Sequence, residues 1–366
     1  MSSPTSILSD VMNKYVFPTT TYHYNSGGDP ETIPDLGYDD LKSFYQKHYH
    51  PSNAVFMTFG DIPAAELQAR FEEEALHEFE RSVAIRGQDE KRYYAPLVVE
   101  DHYPLDEADI ANKSHVVLSW LLGHTANSSE RLAMNLLGGV LLENSASPLR
   151  QYLETCGLGE APSPLCGLDD SGREMSFSCG LEGCAADKAA EIEAGILAVL
   201  NQVALEGVPQ EDVEAVLHQV ELSQREIGGD SYPYGLQLVL NGLTAALNDS
   251  DPLALWDVDA VLAELRQSIQ DPDYIKQLVK TNLLDNSHRV RLTLKPDTTI
   301  NQKRQAAEAA RLHKIKQQLT EAQKQDIMAS TKALAERQAQ QDDVSILPKV
   351  GLDDVPADLK IAEGQS

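Results

Sequence analysis

Short apolar runs separated by long helical stretches constrain this chain more than any other feature. His115-Val116-Val117-Leu118-Ser119-Trp120-Leu121 is apolar almost throughout and reads as a buried strand. Residues 173–182 and Arg289-Val290-Arg291-Leu292-Thr293-Leu294 read as two more, the last ended by Lys295-Pro296-Asp297. Between them lie helical patterns: a Leu- and Met-rich run over 128–143, then a short helix opened by Pro148 and ended by Gly157. Further helical patterns cover 186–206, 209–227, 233–247, 253–269 and 272–284. The signals upstream are shorter. Leu41, Phe44, Tyr45 and His48 carry a helix over 38–50 that Pro51 stops. Ala54-Val55-Phe56-Met57-Thr58-Phe59 reads as a strand ended by Gly60-Asp61. An acidic amphipathic helix comes next over 64–81, then a polar connector over 82–94 and a strand over 95–103.

Two of these stretches share a pattern. Residues 38–61 run helix, polar turn, strand, Gly-Asp; residues 271–297 run helix, polar turn, strand, Pro-Asp. Related turns precede them, Asn25-Ser26-Gly27-Gly28-Asp29-Pro30 and Asn248-Asp249-Ser250-Asp251-Pro252. The repetition suggests a duplicated domain whose first copy is cut short. Beyond Thr298 the composition changes. Residues 301–340 are rich in Ala, Gln, Lys and Glu and contain no Gly or Pro. Leu312, Ile315 and Leu319 mark one stripe, and Thr320 with Gln323 forms a capping-box pattern that opens a second helix. Residues 299–341 therefore read as a helical hairpin. The tail over 342–366, with Pro348 and Pro356, reads as extended.

Composition narrows the function classes. A length of 366 residues suggests two or three domains at ~100–200 residues each. No run of ~18 apolar residues occurs, so no membrane span is expected. Thirty basic against 57 acidic residues give a net charge of −27, which repels phosphate backbones and argues against nucleic-acid partners. Cys156, Cys166, Cys179 and Cys184 include no C-x-x-C pair and read as buried or idle thiols. Their scarcity, with no basic-then-apolar leader at the start, gives the expectation of a cytoplasmic location.

Catalytic patterns are nearly present but incomplete. A helical zinc site needs two histidines on one face with a glutamate as base. His77-Glu78-Phe79-Glu80-Arg81 puts a cation where the second ligand belongs, and His218-Gln219-Val220-Glu221-Leu222 puts a leucine there. His48 and His50 sit at a helix end before Pro51, where capping or packing is expected. The sequence contains no G-x-S-x-G elbow, P-loop or G-x-G-x-x-G. Ser26-Gly27-Gly28-Asp29-Pro30 lacks the lysine and following helix of a phosphate cradle and reads as a tight turn.

Several segments nevertheless carry a recognisable order. Tyr24-Asn25-Ser26-Gly27-Gly28-Asp29-Pro30, Ile33-Pro34-Asp35-Leu36, Tyr49-His50-Pro51-Ser52-Asn53-Ala54 and Gly60-Asp61 resemble the end of the first domain of a presequence protease. That is a branch of the pitrilysin/insulinase-type zinc metallopeptidases. Ala146-Ser147-Pro148-Leu149-Arg150, Gly157-Leu158-Gly159, Arg225-Glu226 and Tyr232-Pro233-Tyr234-Gly235-Leu236 resemble that family's second domain. The 300–340 stretch resembles its helical linker. The resemblance implies an α+β fold of repeated domains, each an antiparallel sheet with helices packed on one face, forming bowls that close over a chamber. There, unfolded peptides are cut at a zinc ion held by the two histidines of H-x-x-E-H and a distal glutamate.

No H-x-x-E-H occurs in this chain, so no catalytic or metal residue carries over. The expectation is an internal piece of such an enzyme, inactive alone. Residues 1–94 would be the incomplete end of the first domain, 95–298 a non-catalytic second domain, 299–341 the linker and 342–366 a tail. Zinc and the missing N-terminal segment and C-terminal half would belong to the full-length enzyme, through which unfolded peptides would be met. Gly27, Gly28 and Asp29 are candidates for the chamber wall, with a structural turn as the plainer role. The alternative is a non-catalytic partner subunit or peptide-binding scaffold of a related metallopeptidase.

Overall fold

Ser3, Pro4 and the four-residue spacing of Leu8, Met12 and Val16 open the chain with a helix. In the computed structural model, which describes residues 3–107, 109–227, 232–248 and 250–355, helix α1 runs Pro4–Val16. The Ser3 hydroxyl accepts from the Ser6 N–H at 3.1 Å, and Pro4 takes the first turn, where its missing N–H is not needed. This helix is an addition to the elements expected from the sequence, although the spacing places all three apolar residues on one face.

Helix α2 (Tyr38–His48) starts where Asp40 accepts from the Gly37 N–H at 3.1 Å, and helix α3 (Ala64–Glu74) ends well short of the expected Arg81. Neither helix buries a residue. Residues 54–59, expected as a strand, take no strand pairing among the described residues. A strand exists only beside a partner that accepts its backbone hydrogen bonds. The parallel with residues 271–297 thus extends to the helix and stops at the strand.

From Leu97 the regular elements come in close succession: β1 (Leu97–Pro104), β2 (Ser114–His124), α4 (Ser128–Leu142), α5 (Pro148–Thr155), β3 (Ala161–Pro162), β4 (Gly167–Asp169) and β5 (Glu174–Cys184). Then come α6 (Ala189–Glu206), α7 (Gln210–Arg225), α8 (Tyr234–Leu247), α9 (Pro252–Trp256), α10 (Val258–Ser268), α11 (Tyr274–Val279), a π turn over Lys280–Leu284, and β6 (Arg289–Asp297). The strands form one sheet in the order β1-β6-β2-β5-β3, with β4 also on β5. β2 lies antiparallel to both neighbours, Val117 facing Gly180 on β5 and Leu292 on β6. A Cβ at Gly180 would collide with the Val116 carbonyl, so the closeness of β2 and β5 depends on that glycine.

The α+β architecture agrees with expectation, and two details refine it. β1 pairs with β6 in parallel, which the long helical excursion between them permits. Helices cover both sheet faces and not the one expected, because α1 brings its own apolar stripe to the second face. Val116, Leu118 and Trp120 point into a large core with Leu136 of α4 and Ile196 of α6, while Val117, Leu121 and Leu292 point the other way onto Leu8, Met12 and Val16 of α1. Full burial of each such leucine or methionine contributes roughly 1.5–3 kcal/mol, enough to hold α1 in place.

The described residues from 302 to 355 form a second compact unit. It contains most of α12 (Ile300–Gln318) and all of α13 (Glu321–Ala339). The Thr320 capping box is formed, with Gln323 N–H donating to the Thr320 hydroxyl at 3.3 Å and Thr320 N–H to the Gln323 side chain at 2.9 Å. The tail makes two short turns, Val344–Ile346 and Leu352–Asp354, and Pro356 lies outside the described residues.

Candidate functional site

Asn25 builds the turn that holds the candidates Gly27, Gly28 and Asp29. Its side-chain oxygen accepts from Gly27 N–H at 2.7 Å and its carbonyl from Gly28 N–H at 3.0 Å. Gly28 has φ of 81°, which glycine adopts without cost. The Asp29 carboxylate accepts from Glu31 N–H at 2.9 Å, and its carbonyl from Thr32 and Ile33. All three candidates are exposed, and their polar groups close the turn itself.

The near-complete zinc patterns have other work. Nδ1 of His77 donates to the Glu72 carbonyl at 3.0 Å, and Arg81 is exposed beyond the end of α3. Glu221 of α7 is taken by Arg225 at 3.0 Å and by Arg266 of α10. His50 caps the turn after it, accepting from Ser52 N–H at 3.1 Å, and the His48 ring lies 4.3 Å from Phe44. These are the capping and packing roles expected of them. Among the described residues no group of three or more His, Cys, Asp or Glu side chains is placed to hold a metal ion. The described residues therefore do not fit the zinc that the resemblance implies.

Three of the four thiols are held in their protonated form by burial. Cys179 and Cys184 are buried, Cys156 and Cys166 half-buried, and all four are free. Burial raises Cys166 and Cys179 above the ordinary thiol range and pushes Cys184 up to about 12. Thiols so shifted stay protonated near neutrality.

Sequence reasoning missed a buried polar junction. The Glu90 carboxylate accepts from Thr19 N–H at 2.9 Å, the Thr19 hydroxyl at 2.6 Å and Thr20 N–H at 3.1 Å. Glu90 N–H donates to Glu174 at 2.6 Å, and Arg92 reaches the other Glu174 oxygen at 2.7 Å and the Leu122 carbonyl at 2.6 Å. Beside them His288 is fully buried, between the Val16 carbonyl and Tyr93 N–H. No local pattern announces these groups, because each partner comes from a distant part of the chain.

Near this junction opens a cleft of about 610 Å³. Tyr22, Thr125 and Arg131 line it on one side, and Leu243, Leu247 and Leu255 supply an apolar wall. Its lining charges are Arg131 and Asp170, 3.7 Å apart, and next to the lining residue Gly172, Arg173 binds Asp89 at 2.6 Å. The Arg173 hydrogen bond, outweighing the cost of burial, holds Asp89 below the usual carboxylate range. The cleft thus combines apolar area with a few polar groups.

Residues 35–220 match the peptidase M16 inactive domain, and residues 294–366 match the associated family of subgroup C of the same peptidases. The chain is 30% identical to a mitochondrial presequence protease of Schizosaccharomyces pombe, over 97% of its own length and 36% of that protein's. It is likewise 30% identical to presequence protease 1 of Arabidopsis thaliana, chloroplastic and mitochondrial, over 97% of its length and 34% of that protein's. It thus spans about a third of the length of these curated relatives. A crystal structure of a protease from Helicobacter pylori shares the fold with a TM-score of 0.61 at 16% identity, covering 80% of this chain and 68% of that one. The expectation of a cytoplasmic location is overturned, because these curated relatives are organellar proteins. Composition and cysteine usage report redox surroundings too coarsely to tell those compartments apart. With just over half its residues inside a match to the inactive domain, and the order of segments at 24–61 pointing the same way, the chain belongs to the peptidase M16 family.

Proposed function

We propose that this chain is the non-catalytic portion of a zinc metallopeptidase that degrades unfolded peptides. Residues 1–94 complete the first domain, 95–298 form the second, non-catalytic domain, and 299–341 link them to the remainder of the enzyme. That remainder supplies the zinc ligands and the base, and the peptide is its partner. Gly27, Gly28 and Asp29 contribute to the chamber wall. The observation that carries this reading is a family match to an inactive domain in a chain whose described residues offer no metal-holding group. A role as partner subunit or peptide-binding scaffold is the second reading, favoured by Tyr38, Leu41, Phe44 and Tyr45 of α2, whose side chains stand exposed.

The test is direct. The purified chain, given zinc and an unstructured peptide, is expected to leave the peptide intact. Cleavage abolished by a chelator would overturn the reading. Capture of a zinc-bearing partner subunit from native extract would favour the second.

A further inference from the structure

Two stretches carry the polypeptide into and out of the segment that holds α2 and α3, and both are pinned to the sheet. On the way in, the Val16 carbonyl at the end of α1 accepts from Nε2 of His288 at 2.9 Å. On the way out, Tyr93 N–H donates to Nδ1 of the same ring at 3.2 Å. The Tyr93 ring stacks on the imidazole with centroids 4.3 Å apart, and its hydroxyl donates to the Tyr15 carbonyl at 2.7 Å. Ser287 donates to the Tyr93 carbonyl at 2.5 Å. One ring, just ahead of β6, thus joins residues that lie 272 and 195 positions away along the chain.

We propose that His288 is a proton-operated clasp: the neutral ring locks the end of α1 and the 90–93 stretch to the sheet, and the protonated ring releases both, loosening the attachment of residues 17–89.

The chemistry rests on the donors and acceptors. A carbonyl can only accept, so Nε2 carries the proton; a backbone N–H can only donate, so Nδ1 must be bare. This arrangement admits one tautomer of the neutral ring and excludes the imidazolium, whose second N–H would face Tyr93 N–H with no acceptor between them. The surroundings give the cation little help. Of the charges facing the ring from the 90–93 stretch, Arg92 repels a proton and Glu90 attracts one. Glu90 is already occupied by Thr19, Thr20 and Lys91. From β5, Glu174 is taken by Arg92 and by Glu90 N–H. From α1, Tyr15 donates to Asp101 at 3.0 Å and Lys14 lies 3.6 Å from Asp101. Arg289, the next residue on β6, turns to Glu193 at 3.5 Å. Burial accordingly holds His288 below the ordinary histidine value of 6.5, partly offset by the Val16 hydrogen bond. A buried neutral histidine contributes its full stability above ~6.5 and loses it as pH falls toward the folded-state value.

Amide hydrogen exchange of the full chain, corrected for intrinsic rates, tests this at about pH 7.5 and about pH 5.5, either side of the ordinary imidazole value. Residues 15–23 and 88–94 are read against β5 as the internal reference. In the unaltered chain, exchange in both stretches is expected to rise several-fold on acidification, up to about tenfold, the most that one group titrating near 6.5 when released contributes at a pH one unit lower, while β5 holds. In His288→Gln the carboxamide supplies one donor and one acceptor but takes no proton, so the acid response is expected to vanish. An unaltered chain that shows no acid response, or a His288→Gln chain that shows the same one, would overturn the proposal. Should His288→Gln fail to fold, the ring resonances of His288 in the unaltered chain decide: their midpoint must lie below the pH at which exchange begins to rise, and a ring that titrates at or above the ordinary 6.5 overturns it.

Discussion

Trp120 is among the largest side chains that β2 buries, and its indole N–H donates to the Leu283 carbonyl at 2.8 Å. That carbonyl belongs to the π turn ahead of β6, where the helical hydrogen bonds are out of step. Trp120→Phe fills most of the volume but leaves a buried acceptor unpaired, so a loss of about 2 kcal/mol is predicted in urea unfolding. Glu90 makes a stronger case. Burial alone would raise its carboxyl, but the Thr19, Lys91 and Thr20 hydrogen bonds outweigh burial and hold it below its ordinary 4.5. The stability it contributes is therefore full above that value and is lost as pH falls through the folded one. Glu90→Gln is predicted to cost about 2 kcal/mol at neutral pH and to flatten the acid limb of the stability profile. Among single residues, a role is legible in the sequence where it is local. The Asn25–Gly28 turn, the His50 cap and the Thr320 box all depend on neighbours two or three positions away. Glu90, Glu174 and His288 depend on partners 70 to 272 positions away, and no spacing rule reaches that far.

Elements are legible to the extent that their own periodicity specifies them. The strands at 115–121 and 289–294 and the helices from 128 onward stand close to where the apolar pattern puts them. The pattern over 253–269 resolves into α9 and α10, with Asp257 between them. The failure at 54–59 has a different cause: a strand signal states a preference, and pairing requires a partner. Phe56 there rests on Phe71 of α3, with ring centroids 5.1 Å apart, while Phe59 and Tyr49 stay exposed. The 33–85 stretch buries little, whereas residues 114–297 enclose the large core. Hydrogen exchange at neutral pH is therefore predicted to be faster over 33–85 than over β2, β5 and β6 by orders of magnitude. Residues 8–16 should share the slow class because α1 is buried against the sheet. Equal protection of 33–85 and the sheet would contradict this.

The whole molecule combines a complete sheet, covered on both faces, with an upstream stretch whose aromatic side chains face outward. Its charge of −27 is spread over a surface where the described basic groups are mostly paired, so the charge says more about solubility than about a ligand. Family membership is legible because a few turn-forming segments, rich in Gly, Pro, Asn and Asp, recur in a fixed order. The compartment is not, because no physical property of the folded chain depends on it. On the proposed reading, this chain contributes structure and leaves the metal chemistry to residues outside it. Zinc content is the decisive quantity: the purified full chain, saturated with zinc, desalted and measured by atomic emission, is predicted to retain far less than one ion per molecule. One tightly held ion per molecule, lost when a single histidine of this chain is replaced, would contradict it.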